Sequence, residues 1–191
     1  MKNSKPSKDI RVVRTQHALL EALAELVKAK KLSCITVTEL CAAAKINRNT
    51  FYYHYNNIFE LLDEHKNKVI TSIDAIEKSI GTHDKDNLIA LFNCLKAHPC
   101  FLNILISPNC DLNFSDEIFS LAASKAAVFV TNNKNELTSR QQFICAYCNA
   151  GCNAVISSWI LDGMKESPEE MASIIWEASK MSVFNLLNLN N

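Results

Sequence analysis

The residues whose types and spacing point to chemistry lie in one short run from Arg48 to Tyr55, which reads RNTFYYHY. Its side chains are hydrogen-bonding groups and flat rings rather than aliphatic chains. Such groups suit nucleic acid, because arginine pairs with guanine O6 and N7 and a tyrosine ring can contact a base edge or a thymine methyl. We therefore expect an outward, DNA-binding face made of Arg48, Asn49, Thr50, Tyr52, Tyr53 and His54.

The residues of this run are expected to have different roles. Base contacts are expected from Arg48 and Tyr53. Phosphate contacts, which set register without specifying sequence, are expected from Thr50, Tyr52 and His54. Phe51 and Tyr55 are four residues apart and share one helix face, which predicts that they attach the helix to a core. The structural alternatives are packing aromatics, a solvated arginine and a capped surface histidine.

Three residues ahead of the run extend the predicted DNA-binding surface. Thr36 and Thr38 stand at the start of a predicted helix, where free backbone N–H groups favour a phosphate. Lys45 lies in the turn between two predicted helices and can contact another phosphate.

Capping signals place these residues on two short helices joined by a tight turn. Thr36 with Glu39 three residues later forms a capping box, which predicts a helix from about Val37. Asn47 is a favourable N-cap and opens the next helix at Arg48. Two short helices in this order, the second polar and aromatic, are typical of a helix-turn-helix.

Longer helices are predicted on both sides of this pair. An apolar stripe at three- and four-residue steps predicts a first helix over 10–31. Asn57 with Glu60 starts a helix to about Ile80, ended by Gly81. Further helices are predicted over 85–97, 99–106, 114–132, 138–161 and from Pro168 onward. The fold class is therefore all-α, with a flexible N-terminus (1–9), a three-helix helix-turn-helix DNA-binding head (10–57) and a helical regulatory and dimerisation body (58–191).

Charge is unevenly distributed although the net charge is zero. Residues 1–56 hold ten Lys or Arg against four Asp or Glu, a balance of +6, and the rest holds ten against sixteen, a balance of −6. A basic head on an acidic body suggests that only the head meets a polyanion. The polar, basic start does not resemble a signal peptide. No apolar run approaches the roughly 20 residues of a membrane span, so we expect a cytoplasmic protein without membrane contact and with reduced thiols at its eight cysteines.

The stretch TVTELCAAAKINRNTFYYHYNNIFELL resembles the signature of the TetR family of bacterial regulators. The resemblance is strong over about residues 10–65, and WILDGMKESPEEMASII also looks like the C-terminal part of one TetR subgroup. Two positions depart from the pattern. Lys45 stands where a glycine is usual in the turn, and Ile58 stands where a phosphate-binding lysine is usual.

This resemblance implies a homodimer that binds a palindromic operator, with the last two helices forming a four-helix bundle with their counterparts. It also implies an effector site in the body, and repression as the more common activity. Two stripes suit the bundle, and we predict as its members Tyr147, Gly151, Val155, Trp159, Ile174, Ala178 and Met181. The alternative for both stripes is the core of a monomer.

Other functional classes remain as alternatives. Nucleophile-elbow, phosphate-loop and zinc-protease motifs are missing, so the sequence predicts neither an enzyme nor a cofactor. Cys145, Cys148 and Cys152 could share a helix face that senses oxidants or a soft metal, although buried cysteine is far commoner as a small apolar residue. A ligand- or partner-dependent coactivator is the remaining alternative, since Ile58 removes one expected DNA contact.

Overall fold

A computed structural model describes the backbone of residues 6–80, 85–110 and 138–187 and most side chains within those ranges. Every regular element in these ranges is helical, which confirms the all-α class. The helices are α1 (Pro6–Ala29), a 3₁₀ turn (Leu32–Cys34), α2 (Val37–Ala44), α3 (Arg48–His54), α4 (Ile58–Ile80), α5 (Lys85–Lys96), α6 (Pro99–Leu105), α7 (Ser139–Leu161) and α8 (Pro168–Leu187). The helix predicted over 114–132 and the stop at Gly81 lie outside the described residues.

The helix starts follow from their caps. Helix α1 begins at Pro6, four residues before the predicted start, because proline fits the first helical turn where its missing N–H is not needed. At α4 the Asn57 Oδ1 accepts from the Glu60 N–H at 2.9 Å, while the Glu60 carboxylate accepts from the N–H of Asn56 at 2.7 Å. At α8, whose start was predicted at Pro168, the Ser167 Oγ accepts from the Glu170 N–H at 3.1 Å.

The chain forms two compact units that divide within α4, between Lys68 and Val69. Unit 1 comprises the described parts of residues 1–68 and 100–112. Its core takes one apolar stripe from α1, at three- and four-residue spacing, together with residues of the later helices. The fully buried members include Leu19, Leu23, Leu40, Phe51, Leu61, Leu62, Phe101 and Ile104.

The turn that follows α6 is hydrogen-bonded to the C-terminal end of α1 and to the 3₁₀ turn within unit 1. The Asn109 Nδ2 donates to the Val27 carbonyl at 2.7 Å, and the Ser107 Oγ donates to the same carbonyl at 3.3 Å. The Leu32 N–H donates to the Asn109 carbonyl at 2.9 Å. Backbone groups left open at a helix end are thus paired by a segment about 80 residues later.

Unit 2 comprises the described parts of residues 69–99 and 113–191, and in it α8 packs against α5 and α7. The Phe92 and Trp159 rings meet edge-on with centroids 5.3 Å apart. The Trp159 Nε1 donates to the Glu166 carbonyl at 3.2 Å, so this buried ring is also satisfied in hydrogen bonding. Gly163 follows the end of α7 in the left-handed region at φ 83°, the usual conformation of a glycine at a helix stop.

One expectation about hydropathy needs correction. Residues Gln142–Leu161 of α7 are long and apolar enough to cross a membrane by length and composition. Length and composition alone do not identify a membrane span, and the buried Trp159 of unit 2 lies within this stretch.

Candidate nucleic-acid interface

The capping box predicted at the start of α2 is present. The Thr36 Oγ1 accepts from the Glu39 N–H at 3.2 Å, and the Glu39 carboxylate accepts from the Thr36 N–H at 2.9 Å. Lys30 pairs with the same carboxylate at 2.6 Å. Hydrogen bonds from Lys30 and Thr36 lower the pKa of Glu39 from 4.5 to about 2, so it is ionised at neutral pH. The Thr36 hydroxyl also donates to Glu39 at 2.8 Å, so it is engaged within the cap itself.

The turn between α2 and α3 has the geometry that a glycine usually provides. Lys45 has φ 55° and ψ 38°, the left-handed conformation, and its side chain is exposed. The Ile46 N–H donates to the Cys41 carbonyl at 2.9 Å and the Lys45 N–H to the Ala42 carbonyl at 3.2 Å, which is the Schellman pattern of helix ends. The turn therefore retains its shape and places a cation at its tip.

Helix α3 is held on the core by two aromatic rings. The Asn47 side chain caps its start by accepting from the Asn49 N–H at 2.8 Å. Phe51 and Tyr55 are buried with ring centroids 5.6 Å apart, as their four-residue spacing predicted. The rest of the helix consequently faces outward.

The outward face of α3 contains all six residues predicted from its sequence. Tyr53 is 72% exposed, and Tyr52 is about half exposed. Arg48, Asn49 and Thr50 are exposed, while His54 is half-buried and edge-on to the Tyr53 ring at 4.9 Å. On the neighbouring elements Thr36, Thr38 and Lys45 are also exposed. The structure thus places every predicted DNA-binding residue at the surface of unit 1.

A polar network fixes the far end of α3. The Tyr55 hydroxyl accepts from the Gln16 Nε2 at 2.6 Å and donates to the Glu64 carboxylate. Lys68 pairs with Glu64 at 2.7 Å and donates to the Gln16 Oε1 at 3.0 Å. Burial and the bond to Glu64 raise the pKa of Tyr55. Burial pushes the pKa of Glu64 upward, but hydrogen bonds from Lys68 and Tyr55 outweigh it and the pKa is lowered.

Sequence reasoning missed two candidate residues on α1. Arg11 and Arg14 line an open cleft of about 450 Å³ whose opposite wall is formed by α3. The signal was their spacing of three, which puts two cations on one helix face. Their proximity to α3 could not be deduced, because it depends on how the two helices cross.

The start of α4 lacks the cation that is usual at this point. Ile58 is only 5% exposed and belongs to the core. Glu60 follows it in the first turn, so this end of α4 is acidic and apolar. The residue at position 58, usually a lysine that contacts phosphate, is here an isoleucine that packs in the core.

The predicted dimer residues fall into two groups. Tyr147 (69% exposed), Gly151, Ile174 and Ala178 lie at the surface, whereas Val155 is half-buried and Trp159 is buried in the core of unit 2. Successive residues advance by 100° around an α-helix, so steps of four drift by about 40° and bring Trp159 about 120° away from Tyr147. The side chain of Met181 lies outside the described residues.

Two exposed apolar residues that the sequence reading left out complete the outer face of α7. Phe143 is 77% exposed and Leu161 is 70% exposed, and both fall within about 40° of Tyr147 on the helix. A methyl group at Gly151 would meet no described atom within 4 Å, so this part of the face is open.

The cysteines give no geometric support to a thiol or metal site. Cys148 and Cys152 are half-buried on α7, and the side chain of Cys145 lies outside the described residues. Burial raises the pKa of Cys94 and Cys100, which disfavours the reactive thiolate. Within the described ranges no three His, Cys, Asp or Glu side chains are grouped to hold a metal ion.

Sequence comparison now decides the family. Residues 82–180 match one of the TetR C-terminal families, described as Transcriptional regulator C-terminal region, and this is more than half of the chain. The chain belongs to the TetR family of transcriptional regulators. TetR-family homologues are non-enzymatic regulators. Comparison with curated protein sequences gives no match for this regulator.

Solved structures of other regulators share the fold of this TetR-family chain. The fatty acid degradation regulator FadR from Bacillus halodurans is 13% identical over 100% of both chains, with a TM-score of 0.59. A TetR transcriptional regulator from Streptococcus agalactiae 2603V is 18% identical over 90% of this chain and 97% of its own, with a TM-score of 0.58. NalD from Pseudomonas aeruginosa is 17% identical over 88% and 96%, with a TM-score of 0.55.

Proposed function

We propose that this TetR-family regulator binds a specific DNA operator through the outward face of α3. The observation that carries the proposal is the division of that helix into two faces. Phe51 and Tyr55 are buried, whereas Arg48 and Tyr53 are exposed with their polar or aromatic groups in solvent. A short helix held in this way can enter the major groove, where base edges present donors and acceptors.

The exposed groups divide into base and phosphate contacts. Arg48 and Tyr53 bind base edges, since Arg48 is an exposed guanidinium and Tyr53 is the most exposed ring of the helix. Backbone phosphates are contacted by Thr38, Lys45, Thr50, Tyr52 and His54. At Thr36 the hydroxyl is occupied by the cap, so the phosphate is bound there by backbone N–H groups of the α2 start.

The regulator acts as a homodimer through the outer face of α7 and the neighbouring exposed part of α8. Aromatic and small apolar side chains in solvent are typical of a surface that a second copy covers. The supporting residues are Phe143, Tyr147, Gly151, Leu161, Ile174 and Ala178. Two heads related by a two-fold axis then bind the half-sites of a palindrome about one helical turn, ~34–36 Å, apart.

An effector bound by the body releases the operator, and the protein acts in the cytoplasm as a repressor when the operator overlaps the promoter. Release requires only that the effector stabilise a head spacing that misfits the operator. Among proteins of this fold, NalD is named a repressor and DhaS (23% identical, TM-score 0.52) is named an operon activator. The position of the operator relative to the promoter determines whether binding represses or activates transcription.

The test is selection of random duplex DNA by the purified full-length protein, followed by titration of the selected duplexes with salt. The expected result is a palindrome whose affinity falls steeply with salt, because phosphate contacts release counterions. Selection of single, unpaired half-sites would remove the dimer from the proposal. No enrichment at low salt would overturn direct operator binding.

A second candidate function is a coactivator that needs a ligand or partner before it can bind DNA. The observation that favours it is the buried Ile58, which leaves the start of α4 without a cation. Enrichment of a duplex by the protein alone would reject it.

A further inference from the structure

The cleft between α1 and α3 is lined by two cations and two hydroxyl groups set among apolar and aromatic surface. Its α1 wall holds Arg11, Val12, Arg14 and Thr15, and its α3 wall holds Thr50, Tyr53 and His54. None of the described side chains lining it is a carboxylate. Two arginines from one helix and hydroxyl-bearing residues from both helices therefore line one open space of about 450 Å³.

The two guanidinium groups are available to a ligand. Arg11 and Arg14 are exposed, and neither has an ion-pair partner among the described residues. Elsewhere in unit 1 several surface cations are paired, as Lys28 is with Glu25 at 2.6 Å. A planar guanidinium matches a phosphate by two parallel hydrogen bonds, which a lysine cannot provide.

The position of the cleft indicates which anion it takes. One wall is the helix whose outward face holds the proposed base contacts, so a ligand in the cleft lies at the flank of that face. After the C-terminal end of α3 the chain continues into the first turn of α4, which holds the buried Ile58 and the acidic Glu60. The first turn of α4 thus offers no cation to a strand beside α3, whereas the α1 wall of the cleft offers two.

We propose that this cleft binds one backbone phosphate of the DNA strand that borders the groove occupied by α3, with Arg11 and Arg14 as its cationic ligands. The proposal rests on operator binding by α3 and adds a site to it. Thr15 and Thr50 donate hydroxyl hydrogen bonds to the same phosphate. Contact with a phosphate sets the register of α3 and is insensitive to base sequence.

The first test compares salt dependence in the full-length protein. Arg11→Ala and Arg14→Ala each remove one cation from the cleft, and Lys31→Ala removes one exposed cation from beyond the opposite end of α1. Each lost phosphate contact lowers the slope of log affinity against log salt by about 0.9, which is roughly threefold in affinity between 50 and 200 mM salt. Because both arginines bind the same phosphate, we expect the full reduction for the Arg11→Ala/Arg14→Ala double variant and a smaller one for each single variant. The reduction should be equal on selected and random duplexes, and the slope should be unchanged for Lys31→Ala.

The second test locates the phosphate. Single methylphosphonate linkages, which lack the charge, are placed at each position of the selected duplex. At one position the methylphosphonate should weaken binding by wild type several-fold. The same substitution should have no further effect on binding by the Arg11→Ala/Arg14→Ala double variant. Thermal unfolding of that variant should match wild type, because both side chains are exposed.

The outcomes separate the cleft from the proposed function. If wild type binds the operator and the double variant shows the same salt slope and the same methylphosphonate profile as wild type, the cleft proposal alone is overturned. Failure of wild type to bind any duplex would overturn operator binding, and the cleft with it. A different result would be that inorganic phosphate binds wild type but not the double variant at constant ionic strength, while both proteins show the same salt slope of DNA binding. That result would assign the site to a free anion.

Discussion

The outward face of α3 and the outward face of α7 are both turned to solvent, but they are built from different groups. The first consists of tyrosine, arginine and hydroxyl side chains on a seven-residue helix. The second consists of phenylalanine, tyrosine, leucine, alanine and glycine on a helix of 23 residues. Hydrogen-bonding groups fit the polar edges of a DNA groove, and small or flat apolar groups fit another apolar helix.

The two faces also differ in how firmly they are held. A seven-residue helix is unstable alone, so α3 depends on its caps and on two buried rings. Helix α7 has six turns and depends less on any single contact. Substitutions behind the DNA-binding face should therefore have larger effects than substitutions within either face.

The largest effect is expected for Phe51→Ala. It empties a fully buried site behind α3 and should lower the free energy of unfolding by about 3–5 kcal/mol. Denaturant unfolding measures this loss, and DNA binding should fall with it. The neighbouring Tyr52→Ala removes an exposed ring and should leave stability within about 0.5 kcal/mol. Equal losses for the two variants would contradict the division of α3 into faces.

The second prediction concerns the apolar face. Tyr147→Glu places a charge in the proposed interface and should weaken self-association by about 30-fold, equivalent to ~2 kcal/mol. Sedimentation equilibrium measures the change. Lys165→Glu, at an exposed residue of the same unit, is the control and should not alter it. A wild-type protein that stays monomeric at micromolar concentration would reject the face as an interface.

A third, comparable effect is expected for Arg48→Ala. Loss of a bidentate contact to guanine should reduce affinity for the selected operator by about 1–3 kcal/mol and relax the preference at one base pair. Binding to a panel of single-base operator variants measures both quantities. If every duplex loses the same factor, Arg48 contacts phosphate rather than a base.

A smaller effect is expected at the turn. Lys45 has a left-handed conformation that costs a non-glycine residue about 1–2 kcal/mol, while glycine gains entropy in the unfolded chain. Lys45→Gly should therefore stabilise the protein by less than about 1 kcal/mol and lower the salt slope by about 0.9. Lys45→Asn is the matched variant, because it loses the same charge and tolerates the same conformation. Destabilisation by both would show that the lysine side chain itself holds the turn.

The smallest effect is expected in acid. The folded-state pKa of Glu39 is about 2, below the ordinary 4.5, so its contribution is present above about pH 4.5 and is lost as pH falls toward 2. Glu39→Gln should flatten the dependence of stability on pH in that window. Glu25→Gln, in an exposed pair on α1, is the comparison. An unchanged acid profile would show that the negative charge of Glu39 contributes nothing to stability.

Local signals in the sequence predicted the helix starts, whereas contacts between residues far apart in the sequence could not be predicted. Thr36, Asn47 and Ser167 cap helices through neighbours two or three residues away, so their roles can be deduced from adjacent letters. Burial of Phe51 and Tyr55 follows from their spacing once a core is assumed. These local features fix the short helices that form the proposed DNA-binding face.

Trp159 shows where such reasoning fails. A repeat of four residues identifies an apolar stripe, but it does not reveal whether the stripe is covered by the same protomer or by a second copy. The Phe92 ring, 67 positions earlier, covers this tryptophan, and only the fold brings the two together. The cleft at Arg11 and Arg14 was missed for the same reason.

The hydrogen bonds from Ser107 and Asn109 to the end of α1 affect how this protein is made. They join residues 80 and 82 positions apart, so the contact order of the DNA-binding unit is far higher than its short helices imply. During synthesis the three N-terminal helices leave the ribosome well before the segment that completes their core, and a fragment ending at Lys68 lacks that segment. A nascent chain therefore acquires a finished DNA-binding unit only after Asn109 has been translated and has left the ribosome.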